Sequence, residues 1–195
     1  TGLAIVGVSQ EAMDAGQSTS TPRDYFCYAT MLQMNKQGYF PYTPPMTLLR
    51  GLRASIDMMN AEGLDNVFKR HTRLASGVRA AVTAWGLKNC AVDRKWHSDT
   101  VTAIRVPENI DANNVIKTAY YTYGVSLGAG LGPLNGNVFR IGHLGWLNET
   151  MVLQALGGVE MAMRDVGVKF LPGCGVGAAI EKYTDVKAPM ELAAE

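Results

Sequence analysis

The segment GAGLGPLNGNVFRI, residues 128–141, has the pattern of two short strands joined by a turn. Asn135 and Gly136 form a pair that is a strong hairpin signal, because both residue types tolerate a positive φ. We therefore predict a glycine-rich strand over 125–131, a turn over 133–136 and a returning strand over 138–141. This hairpin decides the fold of the residues around it.

Helical patterns flank the hairpin on both sides. Apolar residues recur there at helical spacing, and Asp or Asn stands where a helix would need an N-cap. A hairpin flanked by helices favours a small α/β sandwich, with an antiparallel or mixed sheet covered on one face. The predicted elements are helices over 65–85, 111–123 and from 148 onward, and strands over 100–106 and 168–171.

The first 63 residues carry weaker signals. Residues 3–8, LAIVGV, form a continuous apolar run that is typical of a buried strand. Such a strand requires neighbours on both sides and no nearby segment supplies them, so we expect the chain to be a fragment of a longer protein. Helices are predicted over 25–37 and 49–59, the second with a core-facing apolar stripe. Thr43, in the stiff segment 39–45, is placed to cap that second helix.

Composition and charge exclude several classes of protein. The 195 residues are 47% hydrophobic, which is enough for a core, and the net charge of +1 argues against a nucleic-acid binder. No apolar stretch is long enough to span a membrane. The three cysteines are widely spaced, and no histidine–carboxylate pair has the spacing of metal ligands, so we predict no metal site. A cytoplasmic protein is expected.

Arg140 is the most informative residue for function. In the predicted strand Phe139 and Ile141 point to one face and Arg140 points to the other. A guanidinium fixed on a strand presents a planar fork that matches a carboxylate. The pattern alone leaves two interpretations open: a carboxylate-binding residue, or a solvated or ion-paired structural arginine.

Other side chains leave their roles open. His143 follows Arg140 by three residues and is compatible with a base, a ligand-binding donor or a structural residue. The hydroxyls of Tyr39, Tyr42 and Thr43 precede a predicted helix, a combination that suits a phosphate. A rigid packing turn would use the same residues. His71, between apolar positions of a helix, is expected to be semi-buried and hydrogen-bonded.

Five segments occur in a characteristic order: YFPYTPP (39–45), GLRASID (51–57), WGLKNC (85–90), VFRIGHLG (138–145) and DVG (165–167). Together they resemble the serine–glyoxylate aminotransferases, in the alanine–glyoxylate group of class V pyridoxal-phosphate-dependent enzymes. The resemblance implies an α/β fold, the C-terminal part of a fold-type I transferase. It assigns 1–63 to the end of the large cofactor-binding domain, with the last of its sheet and helices, and 64–195 to the small C-terminal domain.

The resemblance also implies roles for individual residues. Arg140 matches the arginine that binds the substrate α-carboxylate. Thr43 matches a threonine that reaches the phosphate of pyridoxal 5'-phosphate in the other subunit, within a homodimer that shares its active sites. Phe40 stands where some relatives have a second phosphate-binding tyrosine. Tyr42, in preference to Tyr39, is therefore expected to supply that hydroxyl.

The reaction implied by the resemblance moves the amino group of serine, or of alanine, to glyoxylate. The products are glycine and hydroxypyruvate, or pyruvate. The Schiff-base lysine is expected upstream of Thr1, so no catalytic residue is expected within the chain and the chain alone is expected to be inactive. The preferred donor stays open. A competing interpretation is a non-enzymatic α/β module that binds an amino acid or a protein partner through Arg140.

Overall fold

A computed structural model describes residues 2–185 of the chain, which divides into two compact units between Gly63 and Leu64. The first unit is helical. Its three α-helices are α1 (Gln10–Gln17), α2 (Tyr28–Lys36) and α3 (Met46–Glu62), with a 3-10 turn at Asp24–Phe26.

Within residues 2–63 the predicted helices are present, but the predicted buried strand is wrong. Residues 3–8 have no regular secondary structure, and Ile5 is 80% exposed. The physical reason is pairing: a strand needs a neighbour for its backbone N–H and C=O groups. All strands of the described part of the chain lie beyond Gly63 and pair with one another.

Helix α3 confirms the helix predicted over 49–59, although its apolar stripe is not buried. Leu49 and Leu52 are half-buried, whereas Ile56 and Met59 are exposed. The stripe predicted an apolar face correctly, because helical spacing places those residues on one side. Spacing does not determine whether that side is covered.

The second unit contains a four-stranded sheet and four long helices. The strand order is β1-β2-β4-β3, and every neighbouring pair is antiparallel. The elements are α4 (Leu64–Ala84), β1 (Lys88–Asn89), β2 (Val101–Arg105), α5 (Ala112–Tyr123), β3 (Gly128–Ala129), β4 (Val138–Gly142), α6 (Glu149–Asp165) and α7 (Cys174–Thr184), with 3-10 turns at Arg94–Trp96 and Gly132–Leu134.

The predicted hairpin is confirmed as the pair β3–β4, but its connection is longer than a two-residue turn. Gly130 donates its N–H to Val138 O, and the chain then folds back through the 3-10 turn. A Cβ on Gly130 would lie 2.1 Å from Leu134 O, so the returning chain occupies the space of a side chain there. β3 is consequently limited to two residues.

The strand predicted over 168–171 is wrong. Val168 is buried, but its N–H donates to Met163 O and so closes the end of α6. Gly167, with φ 95°, allows the chain to turn there. An apolar residue that seals a helix end has the same sequence appearance as one in a short buried strand.

One core positions β4 in the second unit. Phe139 and Ile141 are buried in it, next to the apolar faces of the helices. The stripe predicted for α4 is confirmed, with Leu74, Val78 and Val82 all buried. In the described part of the chain, no helix is both long and apolar enough to cross a membrane.

Candidate carboxylate-binding site

Arg140 lies in the middle of β4, a strand with a neighbour on each side. It is directly opposite Ala103 on β2 and Gly128 on β3. Its side chain is half-buried on the face away from Phe139 and Ile141, as the alternation of the strand predicted.

The guanidinium of Arg140 is held at one nitrogen. Nε donates a hydrogen bond to Ala129 O at 2.9 Å. Among residues 2–185 this is the only hydrogen bond or ion pair that the guanidinium makes. Both terminal nitrogens therefore keep their N–H donors for a carboxylate, which accepts two parallel hydrogen bonds from such a fork.

His143 is a structural residue. Its side chain is fully buried, with Nδ1 3.0 Å from Asp99 O and Nε2 2.9 Å from Thr102 Oγ1. Burial lowers the pKa of His143, so the ring is neutral. Nδ1–H therefore donates to the carbonyl and Nε2 accepts from the hydroxyl, which leaves no ring nitrogen for a substrate. Of its three predicted roles, the geometry supports the structural one.

The carboxylate of Asp99 connects the segment before β2 to helix α4. It accepts from Thr72 Oγ1 at 2.6 Å and from both terminal nitrogens of Arg79 at 3.1 Å. Burial raises the pKa of Asp99, but these hydrogen bonds and the nearby guanidinium outweigh burial and hold the pKa below its ordinary value. Asp99 is thus charged, and its backbone oxygen holds His143.

The loop that follows Arg140 is fastened to α4. His71 Nδ1 donates to Val67 O at 2.7 Å, so its Nε2 accepts the N–H of Gly145 at 3.1 Å. Arg70 donates to the carbonyls of Gly145 and Leu147, at 2.8 and 3.2 Å. The prediction that His71 is hydrogen-bonded is confirmed, but the side chain is buried and not semi-buried. The sequence did not indicate its partner, which lies 74 residues away.

The predicted phosphate-binding residues lie in the first unit, whereas Arg140 lies in the second. Thr43 is exposed and does not cap α3, because the N-cap residue is Pro45 and no side chain bonds there. The ring of Tyr42 stacks on Tyr25 with centroids 3.8 Å apart. In the region from 2 to 185, the hydroxyls of Tyr42 and Thr43 have no hydrogen-bond partner.

None of the described lysines has the buried environment that activates a Schiff-base lysine. A reactive lysine is activated by burial or by a neighbouring cation. Every lysine of the described part of the chain is exposed, and Lys187 lies outside the described residues. The described lysines are Lys36, Lys69, Lys88, Lys95, Lys117, Lys169 and Lys182.

The fold defines the class of protein. The crystal structure of pyridoxamine–pyruvate aminotransferase from Mesorhizobium loti matches the chain with a TM-score of 0.83 and 31% identity, over 92% of this chain and 47% of that one. The fold is therefore that of the C-terminal portion of an aminotransferase, as the sequence predicted. No protein-family model matches the chain.

Sequence relatives narrow the class. A serine–glyoxylate aminotransferase from Hyphomicrobium methylovorum is 58% identical over 94% of this chain, and an L-aspartate–glyoxylate aminotransferase from Paracoccus denitrificans is 50% identical over 96% of it. The chain spans about half the length of these curated relatives, 46% and 47%. It therefore belongs to the class V aminotransferases and corresponds to their C-terminal half.

Proposed function

We propose that the chain forms the C-terminal part of an aminotransferase that moves the amino group of serine to glyoxylate, giving hydroxypyruvate and glycine. The observation that carries this proposal is the guanidinium of Arg140, held at Nε with its terminal nitrogens free of described partners. An amino acid and a 2-oxo acid both carry a carboxylate beside the reacting carbon. One fixed arginine can therefore orient donor and acceptor in the same way.

The relatives support glyoxylate as the amino acceptor more strongly than they support serine as the amino donor. Glyoxylate occurs in the names of both relatives described above, whereas the donor is serine in one and L-aspartate in the other. We place serine first because the relative named for it is 58% identical to this chain, against 50% for the other. Alanine, which would give pyruvate, is a second donor to test. This activity would place the protein in glyoxylate metabolism.

Pyridoxal 5'-phosphate is the proposed cofactor, and when bound it supplies the electron sink of the reaction. The residues present fit its phosphate. Tyr42 and Thr43 offer exposed hydroxyls without described partners, just before the N-terminus of α3, where a phosphate is favoured. In this proposal Thr43 and Tyr42 bind the phosphate and Arg140 binds the substrate carboxylate.

We further propose a homodimer with shared active sites, in the cytoplasm. Two-fold dimers are the commonest soluble oligomers, and Thr43 would serve the cofactor of the neighbouring subunit. Cys27, Cys90 and Cys174 are all unpaired thiols, which agrees with a reducing compartment.

The test uses the full-length protein with pyridoxal 5'-phosphate, glyoxylate and one donor at a time: serine, alanine or aspartate. We expect glycine and the matching 2-oxo acid to form in equal amounts, fastest with serine. If no donor transfers its amino group to glyoxylate, the proposed function is wrong.

The alternative function is a non-enzymatic module that binds an amino acid through Arg140. The match to aminotransferases along more than nine-tenths of the chain does not favour it. Calorimetry with serine, combined with an assay for hydroxypyruvate in the presence of glyoxylate, separates the two functions. A non-enzymatic module would bind serine without producing hydroxypyruvate.

A further inference from the structure

We propose that Gly128 is a positioning residue for the substrate carboxylate, because its lack of a side chain allows the guanidinium of Arg140 to lie across β3. This inference rests on the proposed function, in which Arg140 binds that carboxylate. It assigns a role in the active site to a strand residue whose own atoms need not touch the substrate.

The space above Gly128 is already filled by Arg140. The two residues are direct partners in the β3–β4 ladder. A Cβ built on Gly128 would lie 3.1 Å from Arg140 Nε, 3.2 Å from its Cβ and 3.4 Å from its Cζ. Carbon atoms in good contact are about 3.5–4.0 Å apart. The distances to Nε and to the Cβ of Arg140 are shorter than this, whereas the distance to Cζ is at the edge of ordinary contact. One of the crowded atoms is the Cβ of Arg140, so β3 and β4 would separate by a few tenths of an ångström while the more mobile guanidinium is displaced further.

Backbone conformation gives no other reason for a glycine at this position. Gly132 and Gly136 have φ values of 52° and 76°, which L residues rarely adopt, but Gly128 is not among the glycines with positive φ. A glycine within a strand weakens it, and such glycines often mark a close approach of another group. On the other flank of Arg140, Ala103 presents only a methyl group.

The hydrogen bond from Nε to Ala129 O depends on the same space. It is the described contact that fixes the guanidinium, at 2.9 Å. A methyl group at position 128 would push Nε and Cζ away from β3 and lengthen this bond. The strand could still form, but the terminal nitrogens would point elsewhere. Gly128 therefore acts through Arg140, by controlling the direction of its fork.

The experiment compares Gly128→Ala with Gly157→Ala in the full-length holoenzyme. Gly157 lies on α6, where an added Cβ would meet nothing within 4 Å and φ is not positive. We expect Gly128→Ala to lower kcat/KM for serine and for glyoxylate by roughly tenfold to a hundredfold, as small misplacements of a binding group do. Gly157→Ala should leave both values unchanged, and both variants should melt close to the parent.

A double-mutant cycle tests whether the effect passes through Arg140. In an Arg140→Ala background, Gly128→Ala should lower kcat/KM no further, because the displaced group is already gone. If Gly128→Ala lowers kcat/KM by the same factor with and without Arg140, or if it leaves the parent kinetics unchanged, the inference is overturned.

A second readout does not depend on turnover, so it separates this inference from the proposed function. Phenylglyoxal modifies exposed arginines, and mass spectrometry can follow its reaction at Arg140. Glycolate, a carboxylate without an amino group, should protect Arg140 in the parent and in Gly157→Ala, but only weakly in Gly128→Ala. If this protection pattern is observed but the protein catalyses no transamination, the proposed function is rejected and the positioning role of Gly128 is kept. Equal protection in all three proteins would reject the positioning role.

Discussion

At the scale of single residues, Arg140 should dominate substrate binding in the full-length enzyme. A hydrogen bond to a charged group contributes about 1.5–3 kcal/mol, and a bidentate pair contributes more. We expect Arg140→Ala to lower kcat/KM by roughly tenfold to several hundredfold, at about 1.4 kcal/mol per tenfold. Both serine and glyoxylate should be affected, since each presents a carboxylate. Steady-state kinetics with each substrate measures this.

Two controls accompany the Arg140 prediction. Arg140→Lys should restore activity only partly, because an ammonium lacks the planar fork of a guanidinium. The melting temperature of Arg140→Ala should stay near that of the parent, since the side chain makes one described hydrogen bond. Normal kinetics for both substrates, or loss of the fold, would show that Arg140 is structural.

Thr43 should affect the cofactor without affecting the fold. We expect Thr43→Ala to weaken the affinity for pyridoxal 5'-phosphate by roughly tenfold or more, the equivalent of one hydrogen bond to a charged group. Equilibrium dialysis of the full-length protein measures the dissociation constant. Thr43→Ser, which keeps the hydroxyl, should bind normally, and so should Thr47→Ala, which removes another exposed threonine nearby. Unchanged affinity in Thr43→Ala would contradict the assignment.

Sequence could predict the direction of Arg140 but not the role of His143. The side of a strand on which a residue lies follows from simple alternation. The role of His143 depends on Thr102 and Asp99, which are 41 and 44 residues away along the chain. Histidine, threonine and aspartate are common residue types, and nothing in the sequence indicates that these three contact one another. The sequence therefore leaves three roles open for His143, and the contacts in the fold distinguish between them.

At the scale of elements, the predictions that succeeded rest on local chemistry. Asp111 and Asn148 cap their helices through their own side chains, and Gly124 ends α5 in the left-handed conformation. Each of these signals is contained within one helical turn. The strands predicted over 3–8 and 168–171 failed because a strand exists only if another strand pairs with it.

Glu160 is an element-scale feature that the sequence did not reveal. Its buried carboxylate accepts hydrogen bonds from Trp85 Nε1 at 2.9 Å and from the N–H groups of Gly173, Gly175 and Val176 at 2.7, 2.7 and 3.1 Å. It therefore caps the N-terminus of α7, whose own N-cap residue, Gly173, has no side chain to do so. A glutamate within α6 thus provides the N-terminal cap of a different helix, α7.

We expect Glu160→Gln to lower the free energy of unfolding by about 1–3 kcal/mol, because an amide NH₂ cannot accept the hydrogen bonds of one carboxylate oxygen. Urea denaturation of the full-length protein, followed by tryptophan fluorescence, measures the change. Glu181→Gln, an exposed substitution on α7, is the matched control and should have little effect. Equal stability of both variants would show that the cap contributes nothing.

At the scale of the whole molecule, the order of several short motifs along the sequence predicts the family. Sequence relatives and a matching crystal structure confirm that resemblance. The assignment of residues 1–63 to a large cofactor-binding domain stays a prediction. Within residues 2–63 no side chain is buried.

The exposure of the described lysines gives a whole-molecule prediction. When the 195-residue chain is mixed with pyridoxal 5'-phosphate and reduced with borohydride, we expect no single lysine to be labelled stoichiometrically, because none of those described is buried. Peptide mapping by mass spectrometry measures the labelling. The full-length protein, treated identically, should be labelled at one lysine. One fully labelled lysine within this chain would contradict the prediction.

The interior position of β4 has a consequence for the thermodynamics of ligand capture. Ordering the backbone of one residue costs about 1–2 kcal/mol of conformational entropy, a cost that a binding residue on a mobile loop meets each time a ligand arrives. The backbone of Arg140 is ordered once, when β4 forms between β2 and β3. In the proposed reaction, donor and acceptor would therefore meet the same immobile backbone in alternate half-reactions, and neither capture would require a segment of chain to become ordered.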